Sequence, residues 1–387
     1  MSTIHLPRGV IALGLVSLTM DLSSEMIHSL LPVFLVTVLG ASAMSVGVIE
    51  GIAEATAAVA KVFSGVVSDR FGRRKPLVLL GYGLAALTKP LFPLATGIGA
   101  VLTARFLDRV GKGLRGAPRD ALIADITPKA QRGAAYGLRQ AMDTVGAFAG
   151  PLVAMALMAA SHDDFRLVFW VAVVPALICV LLIAFGVEEP EATRPVAQPR
   201  LPITRDNLAR LSSRFWRVVA FATVLTLARF SEAFLLLRAE NVGLAATWVP
   251  MILIVMNVVY AASAYPFGRF SDNGSRRALL IWGVIFLIAA DIVLALAASI
   301  WAVGLGAAIW GLHMGATQGL LSALVADAVP ADLRGTAFGI FNLVSGIALL
   351  AASVIAGSLW TLLGPAMSFY AGAAFSLVAL LGLSFRR

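Results

Sequence analysis

Charged residues are scarce in this sequence. Asp, Glu, Lys and Arg make up 13% of its 387 residues, about half of what a soluble domain carries. That deficit excludes a water-soluble globule, a disordered chain and a nucleic-acid-binding domain. Cysteine is nearly absent: the single Cys179 forbids an intrachain disulfide, and its apolar surroundings read as packing. The four histidines stand apart from one another, and no Cys/His set has metal-ligand spacing. No P-loop and no loop long enough for a catalytic domain is present, which argues against an enzyme.

What is abundant is apolar sequence, at 59% of residues and a mean hydropathy of +0.90. A membrane-spanning helix needs roughly 20 apolar residues. Twelve runs of about that length fall near 10–38, 45–67, 77–95, 99–122, 133–160, 166–187, 216–239, 245–268, 278–297, 300–324, 335–362 and 365–385. They do not alternate in polarity, so lipid-exposed strands are excluded. The first run is too long and too charged (Asp21, Glu25) for a cleaved signal. The predicted fold is therefore an all-α, twelve-span membrane protein.

The net charge of +9 fits loops that face anionic lipid on the cytoplasmic side. Basic residues fill alternate loops: Arg70-Phe71-Gly72-Arg73-Arg74-Lys75, Lys129 to Arg132, the Arg-rich stretch 188–214, Arg276-Arg277 and Arg334. The loops between them hold almost none. Both termini are therefore expected in the cytoplasm, and the chain in the cytoplasmic (inner) membrane.

The sequence also repeats. Asp125, Pro128, Arg132, Gly133 and Gly137 recur 202 residues later as Asp327, Pro330, Arg334, Gly335 and Gly339. Gly65, Asp69, Arg73 and Arg74 recur 203 residues later as Gly268, Asp272, Arg276 and Arg277. Two six-helix halves are expected, 1–187 and 215–387, joined by a cytoplasmic linker at 188–214; such halves are parallel repeats.

The segment Gly65, Asp69, Arg70, Gly72, Arg73, Arg74 resembles the loop 2–3 signature of the major facilitator superfamily, and its echo at Asp272 and Arg276 extends the likeness over nearly the whole chain. The resemblance implies two helical bundles rocking about a central cavity, with secondary transport of a small solute and no cofactor beyond an ion gradient. It implies that Asp69 and Asp272 face helix N-termini in the opposite half and latch the cytoplasmic side. Arg73, Arg74, Arg276 and Arg277 would then hold the loops at the lipid surface.

Ionisable groups inside spans are costly and usually functional. They are uneven here. The first span carries Asp21, Glu25 and His28 on one face, and the second Glu50, Glu54 and Lys61. Lys89 precedes Pro90 in the third. The fourth carries the stripe Arg105, Asp108, Arg109, Lys112, and the fifth Arg139 and Asp143. At the equivalent places the second half offers only Arg229, Glu232, His313, Gln318 and Asn342, with an aromatic wall expected from Trp248, Trp282, Trp301 and Trp310. The fourth span resembles the family's helix 4 motif with Arg105 at its arginine, although Asp108-Arg109 stand where Gln-Gly is usual. Gly146, Gly150 and Pro151 resemble the helix 5 signature of the family's antiporters.

These readings lead to a proton-coupled exporter of a drug or metabolite. Its proton carriers are expected in the order Glu25, Glu54, Asp21, then Asp108 and Asp143, the last two as structural partners of Arg109 and Arg139. Substrate contacts are expected from Arg105, Arg109, Lys112, Arg139, His28, Glu50, Arg229, Glu232, His313 and Gln318. The alternative is uptake or exchange of an organic anion held by the Arg/Lys stripe. Partners are the solute, protons and lipid; nucleic acid and metal are not expected, and the working unit is expected to be a monomer.

Overall fold

A computed structural model describes residues 6–71, 73–128, 131–188, 205–273, 275–330 and 333–384, without the side chains of 65, 66, 68–71, 205, 271–273 and 384. All regular structure among the described residues is helical. The helices are α1 (Arg8–His28), α2 (Leu31–Thr37), α3 (Ala43–Phe71), α4 (Lys75–Thr88), α5 (Leu91–Leu94), α6 (Ile98–Ile126), α7 (Arg132–Ser161) and α8 (Phe165–Gly186). They continue as α9 (Arg205–Ala209), α10 (Ser213–Ala228), α11 (Ala233–Asn241), α12 (Met251–Asn273), α13 (Arg276–Leu296), α14 (Ile300–Asp327), α15 (Arg334–Leu363) and α16 (Pro365–Ser384).

Ten continuous or broken helices are long and apolar enough to cross a membrane. The ten do not include α3 or α6, which coincide with the two spans richest in predicted charge. Three of the expected runs are interrupted: α1–α2, α4–α5 and α10–α11 each break within one apolar stretch. Pro90 and Pro93 explain the second break, since proline removes a donor and crowds the preceding turn.

The chain forms two compact units, residues 1–31 with 56–201, and residues 32–55 with 202–387. The expected linker at 188–214 lies largely outside the described residues. In the first unit α1 packs on α7 and α8, and α4 on α6 and α8. Its core joins Leu13, Val16 and Met20 to Tyr82, Leu122, Ile183 and Cys179, so the lone cysteine is packing. Arg166 ties α8 to the carbonyls of Pro93 and Ala95 beyond α5.

In the second unit α14 packs on α12 and α13, α13 on α16, and α10 on α15 and α16. The start of α3 lies against α15 through glycines. A Cβ on Gly51 would stand 2.9 Å from Leu350 Cα, and one on Gly357 would stand 2.7 Å from Ala43 O. Helix backbones approach this closely only where small residues face each other.

Candidate functional site

The acidic face of α1 is covered by the glycine face of α7. A Cβ on Gly146 would lie 2.5 Å from Leu18 O and 3.1 Å from Asp21 Cβ; one on Gly150 would lie 2.6 Å from Glu25 Cβ. The two glycines thus set the distance between α7 and the carboxyl groups of α1. Pro151 follows within α7, where it supplies no backbone donor. One turn before Gly146, the Asp143 carboxyl group stands beside that of Asp21. Arg139 approaches Asp143 at 4.0 Å, as its spacing predicted, and also donates to Gln140 Oε1.

A second cluster centres on Asp108. Its expected partner Arg109 stays 4.0 Å away. The closer cation is Lys89, whose Nζ donates to Asp108 Oδ1 and to Ser24 Oγ, each at 3.0 Å, with the lysine wholly buried. Arg105 donates to His28 Nε2, and Arg109 Nη2 stands 3.3 Å from His28 Nδ1. A guanidinium only donates, so the imidazole is the acceptor toward Arg105. His28 also stands 3.7 Å from Glu25 Oε1 and 3.9 Å from Asp108 Oδ2. The imidazole therefore links the α1 acids to the α6 stripe.

Lys112, on the same stripe, is exposed, while Arg105, Asp108 and Arg109 are buried. Two further arginines of α6 complete the polar interior. Arg115 stacks over Tyr82 at 4.5 Å, and Arg119 reaches Tyr82 Oη at 3.2 Å and Ser17 Oγ at 3.4 Å.

Among the expected polar groups of the second unit, Arg229 lies within electrostatic reach of Glu232, Tyr260 and His313. Glu50 is buried and Glu54 half-buried, both on the α3 segment that belongs to this unit. Arg229 and Glu232 sit at the α10–α11 break. His313 is wholly buried with Nδ1 2.8 Å from Gly283 O, whereas Gln318 accepts from Tyr260 Oη at 3.2 Å. The aromatic wall is not formed as expected. Trp310 is buried against Phe230, which also meets Phe234 and Phe369. Trp248, Trp282 and Trp301 are 50%, 55% and 88% exposed, which removes them from that cluster. The second half is also less bare than expected: Asp291 is 0% exposed in the middle of an apolar helix.

At the loop motifs, the side chains of Gly65, Asp69, Arg70, Gly72 and Asp272 lie outside the described residues. The described arginines beside them make ion pairs and carbonyl contacts. Arg74 pairs with Asp125 at 2.5 Å, and Arg276 with Asp327 at 2.5 Å. Arg277 donates to Leu383 O at 2.6 Å; Arg73 is exposed. The ion pairs equate Arg74 with Arg276, 202 residues on, where the sequence register of 203 equated it with Arg277. Each pair ties the start of the third helix of a repeat to the end of the fourth. Among the described residues no His/Cys/Asp/Glu group is placed to hold a metal ion.

Comparison with known proteins supplies the context. The family model described as Major Facilitator Superfamily matches residues 13–255 and 230–387. An uncharacterized MFS-type transporter of Methanocaldococcus jannaschii is 32% identical over 98% of this chain and 95% of its own. The multidrug resistance protein MdtH of Yersinia enterocolitica is 25% identical over 92% of this chain and 89% of its own. Among solved structures, the nucleoside transporter NupG superposes with a TM-score of 0.84 at 13% identity, covering 97% of this chain and all of that one, a likeness of fold.

Proposed function

This chain belongs to the major facilitator superfamily and is a membrane transporter, not an enzyme, and on that premise we propose that it exports a small drug-like solute in exchange for protons. The observation that carries the reading is the Asp21–Asp143 carboxyl pair beside Glu25, all under the Gly146/Gly150 face of α7. Two facing carboxyl groups are a place to hold one proton, which movement of α7 against α1 would release. His28 then connects Glu25 to Arg105 and Arg109, so loss or gain of that proton is felt by the cations of α6. The multidrug resistance name of the Yersinia relative supports a drug-like solute. Twelve spans, cytoplasmic termini, a cytoplasmic (inner) membrane and a monomeric unit complete the proposal, with α3 and α6 spanning because Glu50 of α3 and Arg105, Asp108 and Arg109 of α6 are buried.

A second reading rests on a separate observation. Lys89 and Arg109 face Asp108, and Arg105 reaches His28 beside it, a grouping of cations that suits an organic anion.

One experiment separates them. In inverted membrane vesicles, ethidium accumulation should collapse with a protonophore, and Asp21→Asn or Glu25→Gln should abolish uphill movement. Uphill transport at the native rate by both variants rejects the exporter. An Arg109→Ala variant that loses benzoate transport but handles ethidium normally establishes the anion reading instead.

A further inference from the structure

We propose that Asp291 is a proton-binding site of the second unit, its carboxyl group carried as a neutral acid that donates to the carbonyl of Ala228 at the α10–α11 break. Asp291 lies on α13 with 0% exposure, and neither carboxyl oxygen has a hydrogen-bond partner. No cation answers it among the described ion pairs. Arg238, which reaches the end of α13, is committed to the carbonyls of Leu294, Ala295 and Ala297 and to Asn241 Oδ1.

The neighbouring helices offer no charge in its place. From α14 the titratable groups are His313, whose Nδ1 is engaged by Gly283 O, and Asp327, at the helix end where it pairs with Arg276. From α16 there is only Tyr370, because residues 365–384 contain no Asp, Glu, Lys, Arg or His. From α12 the charged groups are Arg269 and Asp272, near its end at the α12–α13 loop. From the α10–α11 break they are Arg229 and Glu232, on the residues that follow Ala228. An ionised carboxylate without a partner costs several kcal/mol to bury.

The local geometry supplies an acceptor. A Cβ on Gly372 would stand 2.6 Å from Asp291 Oδ2 and 3.1 Å from Ala228 O, so both oxygens crowd one point on α16. Ala228 is the last residue of α10, and its carbonyl lacks the donor that a continuing helix would provide. Two acceptors facing one gap are reconciled by one proton. Proton loss would set a carboxylate against a carbonyl dipole, so occupancy of this site and the conformation of the break are coupled. The inference does not rest on the proton-coupled reading of the first unit.

The test uses the purified full-length protein in detergent. At neutral pH its infrared spectrum should contain a protonated-carboxyl carbonyl band that Asp291→Asn lacks and that Gly372→Ala shifts. Raising the pH into the alkaline range should lower the unfolding midpoint of the native protein more than that of Asp291→Asn, since only the native side chain must ionise in a buried place. The proposal is overturned if Asp291→Asn retains the whole band intensity. It is equally overturned if sodium chloride, compared with choline chloride, raises the midpoint of the native protein but not of Asp291→Asn.

Discussion

Lys89 is fully buried, and its ammonium rests between Asp108 and Ser24. Removing one partner of a buried ion pair leaves the other charge uncompensated, at a cost of about 3–5 kcal/mol. Lys89→Met should therefore destabilise the detergent-solubilised protein strongly, and Lys89→Met with Asp108→Asn should recover most of the loss. Thermal unfolding of the two variants checks this, and an unimproved double variant argues against the pairing. Sequence spacing pointed to Arg109 for Asp108 because neighbours along one helix are what spacing reports. Lys89 comes from another helix, beside a proline break, and only the fold brings it in. Asp291 escaped the sequence reading for a related reason: a lone carboxylate in an apolar run belongs to no stripe and has no charged companion at helical intervals.

At the scale of the element, the meeting of α1 and α7 joins two patterns that sequence displays separately. The acid stripe Asp21, Glu25 is legible from its four-residue interval, and the small-residue face Gly146, Gly150 from its own. That one covers the other is not legible, because helix pairing depends on side-chain shape at distant positions. The consequence is testable. Gly150→Ala places a methyl 2.6 Å from Glu25 Cβ and 3.0 Å from Leu22 O, an overpacking worth about 1–3 kcal/mol. It should lower the unfolding midpoint and abolish ethidium transport. Gly137→Ala, on the same helix with nothing within 4 Å of the added carbon, should leave transport intact and raise helix stability by at most about 1 kcal/mol. Equal behaviour of the two variants would show that helix propensity, rather than contact with α1, governs this face.

For the whole molecule, duplication is visible in the ion pairs. Arg74–Asp125 and Arg276–Asp327 occupy equivalent places 202 residues apart, so the repeat seen in sequence is also a repeat of interactions. Equivalent ends of parallel repeats lie on the same side of a membrane only if an even number of spans separates them. Between Arg74 and Arg276 the apolar helices provide five spans, and α6 supplies the sixth. The lone Cys179 is wholly buried, so the native chain gives little background to an impermeant maleimide, and single cysteines can report sidedness directly. Asp163→Cys and Asn241→Cys, at exposed turns following α7 and α11, should label from the outside of intact cells. Glu188→Cys and Asp206→Cys, on either side of the Arg-rich segment, should label only after the cells are opened. With the N-terminus in the cytoplasm, the reverse pattern would require either α3 or α6 to lie outside the bilayer, and the buried charges of α6 would then be stabilising a surface helix rather than lining a transport route.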